Sequence, residues 1–389
     1  MNKTYDAIVI GAGAIGTSCA YHLVKKGLTV ALIERRDIAR GTSSRCDAAA
    51  LLSDKQPGVD VALGYASILR FLELQKELST DFALHQGGSL YVCETEQQME
   101  IAAGFVKQMQ AEGYDFSLQS RAEIREREPF LADDLAGGFW SSACCSLNPF
   151  KLCYAFVDEV NGKGLDVYIH TSVTGILRGE AGEVTGVETD RGTFHTKHVI
   201  NACGAWAPDV GKMVGLDLPI IPRKGIILVS GASSPICHQK VQEYGYNVTK
   251  FEKKGVRQDP DVERYNVSFN IEPTEGNNVI VGGSRNFVGF TETPEIEVVK
   301  AIARRAVRFF PVLKKMNIIR TYAGVRPYVK EHLPLITDVR GVPGYYIAAG
   351  HEGDGISMAP TTGQLIAEIV TGETPHMDVK PFSYSRYER

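Results

Sequence analysis

Residues 7–34, AIVIGAGAIGTSCAYHLVKKGLTVALIE, decide the fold of this chain. The apolar run from Ala7 to Ile10 suits a strand that is buried on both faces. A glycine-rich turn, Gly11 to Gly16, follows it and leads into apolar residues at helical spacing. Val30 to Ile33 form a second apolar run, which closes with Glu34. The stretch therefore predicts a strand–helix–strand unit, the beginning of an α/β fold with a parallel sheet.

The turn in this unit has the G-x-G-x-x-G spacing of a dinucleotide-binding fingerprint. Gly11 permits the tight turn, Gly13 lets the backbone approach a pyrophosphate, and Gly16 lets helix and strand pack closely. Glu34, at the end of the second strand, suits hydrogen bonds to a ribose. A glycine-rich turn of purely structural use is the alternative. The fingerprint alone leaves NAD and FAD both open, although its place near the start of the sequence favours FAD.

Two further stretches suit a cofactor. Gly41-Thr42-Ser43-Ser44 offers small hydroxyl residues and backbone N–H groups to a phosphate or a ribityl chain, and a polar loop is the alternative. The predicted strand that ends at Asn201 continues through Ala202, Cys203 and Gly204 to Trp206. Such small residues let a cofactor lie against bare backbone, and a packed strand end is the alternative.

A glycine-rich turn from Gly350 to Ile356 precedes the last predicted helix. Backbone N–H groups at a helix N-terminus stabilise negative charge, such as that of a reduced flavin. Asp354 could also cap this helix. The turn is therefore a second candidate for cofactor contact.

The remaining pattern predicts a second domain on a largely antiparallel sheet. Strands are predicted at 89–93, 173–177, 184–189, 193–201, 226–229, 267–271, 279–281 and 345–349, and helices through 68–78, 99–113, 298–310 and 357–370.

Length and composition set the outer limits. At 389 residues the chain suits two domains, and its net charge of -4 gives no indication of nucleic-acid binding. No apolar run is long enough to span a membrane, and no signal-peptide pattern is present. A cytoplasmic location is expected, with peripheral membrane docking left open. The eight cysteines show no C-x-x-C spacing, which predicts free thiols and no metal site.

Taken together, these motifs resemble the D-amino acid oxidase superfamily of flavoproteins, in the branch of glycine oxidase and sarcosine oxidase. The resemblance covers essentially the whole chain. It rests on the fingerprint with Glu34, Gly41-Thr42-Ser43, Asn201 to Trp206, Ala323-Gly324-Val325-Arg326-Pro327 and Gly350-His351. It implies bound FAD and oxidation of an amine carbon by hydride transfer to the flavin.

Several segments resemble the β-type catalytic subunits of heteromeric proline or hydroxyproline dehydrogenase, opine oxidase and hydrogen cyanide synthase. These segments are Gly41 to Ser44 with Cys46-Asp47, Pro222 to Gly225, Ile271 to Thr274, Phe309 to Pro311 and His351 to Gly355. In such complexes FMN lies between subunits, and the basic pair Arg223-Lys224 could hold its phosphate. A solvated charge pair is the alternative.

Two departures from the family pattern matter. Glycine oxidase-like enzymes carry an arginine where this chain has Gly353, so one candidate carboxylate anchor is missing. No histidine follows the Gly41 loop where some relatives attach FAD covalently, which predicts non-covalent FAD.

The resemblance assigns two residues to the substrate side. Arg326 is expected to hold a substrate carboxylate bidentately, and a structural ion pair is the alternative. His351 is expected to lie against the flavin edge rather than act as a general base. Tyr244, Tyr246 and Tyr265 are left unassigned, and Glu272 and Glu275 are expected to be surface or turn residues.

We thus expect a Rossmann-type FAD domain (1–80, 145–215 and 320–389) and an α+β substrate domain (81–144 and 216–319). The expected FAD contacts are Gly11, Gly13, Ala14, Ile15, Gly16, Glu34, Arg35, Thr42, Ser43, Ser44, Val173, Ala202, Gly204, Trp206, Gly350, Gly353, Asp354, Gly355 and Ile356. The expected function is oxidation of a small amino or imino acid, as a subunit beside partners that carry further redox centres. The alternatives are a free-standing oxidase that produces peroxide, an NAD-linked dehydrogenase, and a flavin-bound assembly subunit without catalysis.

Overall fold

The computed structural model describes residues 2–251 and 259–387. Its helices are α1 (Ala14–Lys25), α2 (Val59–Glu77), α3 (Glu96–Ala111), α4 (Arg121–Arg127), α5 (Pro149–Val160), α6 (Ala207–Lys212), α7 (Gly245–Lys250), α8 (Pro260–Tyr265), α9 (Ile296–Phe309) and α10 (Gly355–Thr371).

Its strands are β1 (Asn2–Thr4), β2 (Ala7–Ile10), β3 (Val30–Ile33), β4 (Ala49–Ala50), β5 (Ser89–Cys93), β6 (Phe116–Ser120), β7 (Gly137–Ser141), β8 (Cys145–Ser146), β9 (Leu165–Tyr168), β10 (Val173–Arg178), β11 (Val184–Thr189), β12 (Gly192–His195), β13 (Val199–Asn201), β14 (Ile221–Ser230), β15 (Lys240–Glu243), β16 (Val267–Pro273), β17 (Val279–Ser284), β18 (Ile318–Tyr328), β19 (Leu335–Asp338) and β20 (Tyr345–Ala349).

The opening strand–helix–strand unit forms as predicted and lies at the centre of a six-stranded sheet. The order is β19-β20-β13-β2-β3-β9, and all neighbours are parallel except β19 and β20. Every residue of β2 and β3 is buried, which explains why both read as continuous apolar runs. Helix α1 packs against α5 and α10. The carboxyl ends of β2, β13 and β20 therefore meet at one edge of the sheet.

The second sheet has eight strands in the order β18-β14-β17-β16-β15-β5-β7-β6. Every neighbouring pair is antiparallel except β15 and β5, which run parallel. Helix α9 packs against β16 and β17. The predicted largely antiparallel sheet is thus confirmed.

The prediction of one strand over 193–201 is wrong. The segment forms β12, which pairs with β1 and β11, and β13, which pairs with β2 and β20. The hydroxyl of Thr196 donates to Asp6 O at 2.9 Å and accepts from the His198 N–H at 3.1 Å. These bonds turn the polar Thr196-Lys197-His198 segment out of one sheet and into the other.

One expected domain boundary falls inside a strand. Strand β18 pairs with β14 from Ile221–Tyr328 to Ser230–Ile318, so 318–328 belongs to the eight-stranded sheet and not to the nucleotide-binding sheet. The motif around Arg326 is therefore presented by the second sheet. Segments 81–144 and 216–319 supply the other strands of that sheet, β5 to β7 and β14 to β17. The remaining boundaries stay predictions.

All eight cysteines are free thiols, and all except Cys46 and Cys203 are buried. Within residues 2–251 and 259–387, no three His, Cys, Asp or Glu side chains are grouped closely enough to hold a metal ion. In the same ranges no helix is long and apolar enough to cross a bilayer.

Candidate FAD and substrate site

A single cleft joins the carboxyl edge of the parallel sheet to one face of the eight-stranded sheet. Residues of the fingerprint turn, the end of β3 and the Gly41 loop line one part of it, and Gly225, Asn270, Gly283 and Arg326 of the second sheet line another. Of the expected FAD contacts, those that line it are Gly11, Gly13, Ala14, Ile15, Glu34, Arg35, Thr42, Ser43, Val173, Ala202, Gly204, Trp206, Gly353, Gly355 and Ile356. Gly16, Ser44, Gly350 and Asp354 do not line it.

The fingerprint glycines lie as their proposed roles require. Gly11 has a φ of +102°, and a Cβ on Gly16 would lie 1.8 Å from the Gly11 carbonyl oxygen. Gly16 therefore acts through close packing of helix on turn. A Cβ on Gly13 would meet only the Ser43 hydroxyl, at 3.1 Å, so the backbone there is open to the cleft. This open backbone at the start of α1 fits the pyrophosphate of a dinucleotide.

Glu34 is fixed at the end of β3 by two backbone groups. Its Oε2 accepts from the Ala12 N–H at 2.9 Å, and its Oε1 accepts from the Arg36 N–H at 2.8 Å. Each carboxylate oxygen has a second lone pair, so the group can still accept from ribose hydroxyls in the cleft.

We expect Glu34→Ala to weaken FAD binding, because the hydrogen bonds from the ribose are lost. The cost should be roughly 1–3 kcal/mol, measured as the dissociation constant of FAD for the apoprotein. Glu180→Ala, in an exposed turn, is the matched control and should leave FAD affinity unchanged. Equal FAD retention by the two variants on dilution would show that Glu34 does not hold the ribose.

The Gly41 loop ties the fingerprint turn to the second sheet. Thr42 to Ser44 form one turn of 3₁₀-helix. The Thr42 hydroxyl donates to Val325 O at 2.6 Å, and the Ser43 hydroxyl accepts from the Ala14 N–H at 3.0 Å. Ser44 instead donates to Gly41 O at 3.1 Å, within its own turn. The loop therefore bridges the two halves of the cleft.

The stretch after β13 forms the floor beside the fingerprint. Asn201 donates to Ala207 O and to the Tyr345 hydroxyl, both at 2.9 Å, which fixes the strand end. The guanidinium of Arg35 lies 4.6 Å from the centre of the Trp206 ring. These two side chains close the cleft near Glu34, where the nucleotide end of a cofactor would lie.

The turn before α10 divides its residues between two environments. Gly353, Gly355 and Ile356 line the cleft. Asp354 occupies the N-cap position, but its side chain accepts no helix N–H. Its carboxylate instead accepts from Lys250 Nζ at 2.8 Å and lies 3.2 Å from Lys55 Nζ. Asp354 is thus a buried ion-pair residue, so the expectation of a side-chain cap is wrong, and the expected cofactor contact stays a prediction.

His351 lines the cleft, and a residue of helix α10 fixes its ring by a hydrogen bond. It is buried, and its Nε2 shares a hydrogen bond of 3.0 Å with the Thr362 hydroxyl. Burial lowers the pKa of His351 to about 3. The imidazole is therefore neutral at physiological pH, and a neutral ring against a flavin edge fits this state better than a base that would end the reaction protonated.

Arg326 is the cation that the second sheet presents to the cleft, and the described residues give it no anionic partner. Its Nη1 donates to Ser284 O at 2.9 Å. Throughout 2–251 and 259–387, no carboxylate oxygen lies within 4.0 Å of its guanidinium. A Cβ on Gly225 would lie 2.2 Å from Arg326 Nη1, so Gly225 makes room for the side chain. The structural ion pair considered as the alternative is absent from this part of the chain.

The basic pair Arg223-Lys224 is neither solvated nor directed at one ligand. Both side chains are 1% exposed. Neighbours on a strand point to opposite faces, and Arg223 pairs with Glu352 while Lys224 pairs with Glu295. Each cation has its own carboxylate, so this arrangement gives no support to an FMN phosphate held between them.

A further ionic cluster borders the cleft. Lys240 Nζ donates to Asp47 Oδ2 at 2.5 Å and to Asn270 Oδ1 and Glu272 Oε2, both at 3.1 Å. The expectation of a surface or turn position for Glu272 is wrong, since its side chain is 2% exposed. Burial raises the pKa of Glu272 despite the attraction of Lys240. No local motif marks the cluster, because its members lie on separate segments.

The three tyrosines that the sequence left without a role differ in whether they reach the cleft. Of Tyr244, Tyr246 and Tyr265, only Tyr246 lines the cleft. The guanidinium of Arg285 lies 3.9 Å from the centre of its ring. Tyr246 thus covers a second buried arginine on the substrate-domain side.

Comparison with known proteins decides the family. The family model "DAO: FAD dependent oxidoreductase" matches residues 6–369. The chain belongs to this family. It is an FAD-dependent enzyme, and the cleft fits that cofactor through its open backbone at Gly13 and the fixed carboxylate of Glu34.

Among members of known activity, the chain is similar to hydrogen cyanide synthase subunit HcnC of Pseudomonas aeruginosa, with 27% identity over 432 residues that cover 100% of this chain and 97% of HcnC. Glycine oxidase of Geobacillus kaustophilus is 27% identical over 394 residues, which cover 100% of this chain and 98% of that enzyme. The crystal structure of L-proline dehydrogenase from P. horikoshii matches with a TM-score of 0.89 at 25% identity, and the match covers 100% of this chain and 99% of that one. The expected FAD family is confirmed, and so is the expected fold, with a parallel nucleotide-binding sheet and a largely antiparallel sheet in the second domain.

Proposed function

We propose that this enzyme oxidises the C–N bond of a small amino or imino acid. The observation that carries the proposal is Arg326, a guanidinium that lines the cleft without a carboxylate partner in the described residues. An amino acid brings such a carboxylate, and a bidentate pair would fix its α-carbon. Proline, hydroxyproline, glycine, sarcosine and opine-type compounds all carry this group.

The names of similar proteins support this substrate class. They include glycine oxidase, L-proline dehydrogenase and the human sarcosine dehydrogenase, which is 25% identical over 406 residues. All of them act on an amine next to a carboxylate.

In the proposed site, the fingerprint turn, Glu34 and the Gly41 loop hold FAD, and His351 lies at the flavin edge. The bound flavin supplies the acceptor for a hydride from the substrate carbon. Arg326 orients the substrate so that this carbon faces the flavin. The imine that forms is hydrolysed by water.

A screen of imino, N-alkyl and D-amino acids with an artificial dye as electron acceptor tests the proposal. At least one of these compounds should reduce the dye in the presence of the purified protein. A colourless protein that needs added nicotinamide would favour the NAD-linked alternative. A yellow protein that reduces no dye with any compound would favour an assembly subunit.

We expect the FAD to be bound non-covalently. No histidine follows the Gly41 loop before His85, and burial raises the pKa of the nearby Cys46 thiol well above its usual value, which leaves a poor nucleophile. Acid precipitation should therefore leave the flavin in the supernatant. Flavin that stays on the denatured chain would contradict this expectation.

We further propose that the chain works as one subunit of a heteromeric complex. The name of HcnC, a synthase subunit, supports this proposal. An apolar surface at the mouth of the cleft also supports it, because Ile221, Phe287, Val288 and Phe290 are 47–51% exposed. Phe290 stacks on Trp206 at 5.3 Å between ring centres, next to the cofactor cleft.

Co-expression with neighbouring genes followed by gel filtration tests the complex. The chain should elute with partner subunits, and Val288→Lys should reduce this association. Ile101→Lys, at an exposed apolar residue of α3, is the control. A stable lone chain that consumes oxygen rapidly with stoichiometric peroxide, and gains nothing from any partner, would refute the proposal.

A further inference from the structure

The cluster around Lys240 has more carboxyl groups than ammonium groups. Asp47 and Glu272 share the one ammonium of Lys240, at 2.5 and 3.1 Å. Glu272 Oε1 is buried and has no hydrogen-bond partner. A buried pair of this kind is costly to maintain, so it calls for an explanation beyond packing.

Asp47 is the charged member of the cluster that faces the cleft. Its side chain is 26% exposed, whereas Lys240 and Glu272 are each 2% exposed. Asp47 and Asn270 line the cleft, and the other two do not. The bond to Lys240 occupies Oδ2, which leaves Oδ1 as an acceptor for a group bound in the cleft.

The surroundings keep Asp47 ionised. Burial raises its pKa, but Lys240 and the more distant guanidiniums of Arg326 and Arg285 outweigh burial, and the net pKa lies below the usual value. The other titratable groups that face it, besides Glu272, are Cys46 and Tyr322, and burial raises the pKa of both. Both therefore stay neutral, and Asp47 carries the negative charge that faces the cleft.

Asp47 and Arg326 together match the two charges of an amino acid. Both line the same cleft, and each influences the other electrostatically, yet no N–O distance between them is within 4.0 Å. A ligand between them would meet a cation on one side and an anion on the other. A free amino acid is a zwitterion with this arrangement of charge.

We propose that Asp47 binds the substrate nitrogen and stabilises the positive charge that forms on it during oxidation. This inference rests on the proposed function. The bound ammonium first loses a proton to water, which gives the neutral amine. As the hydride then leaves the α-carbon for the flavin with both electrons of the C–H bond, the nitrogen lone pair forms the C=N bond. The nitrogen becomes a cationic iminium, which water then hydrolyses. A carboxylate already fixed by Lys240 stabilises this charge without reorganising.

Binding of a matched ligand pair tests the charge recognition without turnover. N,N,N-trimethylglycine is cationic at nitrogen, and 3,3-dimethylbutanoate replaces that nitrogen with carbon. Dissociation constants come from the change in the flavin absorbance of the FAD-loaded protein. The wild type should prefer the cationic ligand by about 10- to 100-fold. Asp47→Asn should abolish the preference, and Asp47→Glu should keep part of it.

Anaerobic flavin reduction by the best amino acid gives the second readout. Asp47→Asn should lower the limiting reduction rate by about 100-fold, with Asp47→Glu closer to the wild type. Asp158→Asn, an exposed residue of α5, should change neither readout. FAD content and unfolding temperature show whether each variant is folded.

Two results would overturn the inference: an Asp47→Asn protein whose limiting reduction rate stays within about threefold of the wild type, or one that keeps the preference for the cationic ligand. Failure of the proposed function looks different, since no amino acid would then bleach the wild-type flavin at all.

Discussion

Arg326→Ala should lower kcat/KM for the amino-acid substrate by roughly two to four orders of magnitude, while the flavin spectrum stays intact. A carboxylate buried without its partner costs about 3–5 kcal/mol, and each 1.4 kcal/mol is about tenfold in rate. Arg326→Lys should also be severely impaired, because lysine keeps the charge but loses the planar fork. Steady-state kinetics with a dye acceptor measures both.

The control for this series is Arg320, which is exposed on the same strand, β18. Arg320→Ala and Arg320→Lys should keep wild-type kinetics. If both Arg326 variants keep a normal kcat/KM, the substrate carboxylate is held elsewhere, and Arg285 behind Tyr246 becomes the next candidate.

Gly16→Ala should strongly weaken FAD binding. The added Cβ would lie 1.8 Å from the backbone oxygen of Gly11, and backbone cannot move aside as a flexible side chain can. Overpacking of this kind costs about 1–3 kcal/mol or more. Because the strain falls on the turn that must meet the pyrophosphate, FAD affinity should fall by roughly 100-fold. Equilibrium titration of the apoprotein with FAD measures the loss.

Gly104→Ala provides the matched control. Gly104 is exposed in α3, and a Cβ there would have nothing within 4 Å. The same substitution in an open helix position should stabilise the protein by about 0.5–1 kcal/mol and leave FAD affinity unchanged. Unaltered FAD affinity in Gly16→Ala would show that the turn is not held by this contact.

The cofactor half of the site could be predicted from sequence because its signals are local. The fingerprint glycines, Glu34 and the Gly41 loop lie within one strand–helix–strand unit and the segment that follows it. Their geometry depends on backbone conformation that a short stretch dictates. Most of these residues line the cleft as expected.

The ionic cluster around Lys240 could not be predicted from sequence, because its members lie far apart along the chain. Asp47 meets Lys240 across 193 positions, and Lys240 meets Glu272 across 32. The ion pairs of Asp354 could not be predicted for the same reason, since its partners are Lys55 and Lys250. From sequence alone, an acidic residue beside a glycine-rich turn is equally consistent with a helix cap and with a ligand contact. The side chains that face it decide between these roles and the ion pair.

The expected domain boundary at 320 falls inside strand β18, whose pairing with β14 is also a contact between distant parts of the chain. The expected FAD domain resumes at 320, which places the motif around Arg326 with the C-terminal nucleotide-binding segment. In the structure β18 pairs with β14 over its whole length. The eight-stranded sheet therefore presents Arg326 to the cleft. A motif can thus contribute to the site without belonging to the domain whose segment comes next in the sequence.

Anaerobic titration of the purified yellow protein tests the central claim most directly. Stepwise addition of the best amino or imino acid, without oxygen or dye, should bleach the flavin absorbance in proportion to the substrate added. The imine-derived keto or aldehyde product should appear in equal amount to the reduced flavin. A flavin that dithionite bleaches but that no amino or imino acid reduces would contradict the account.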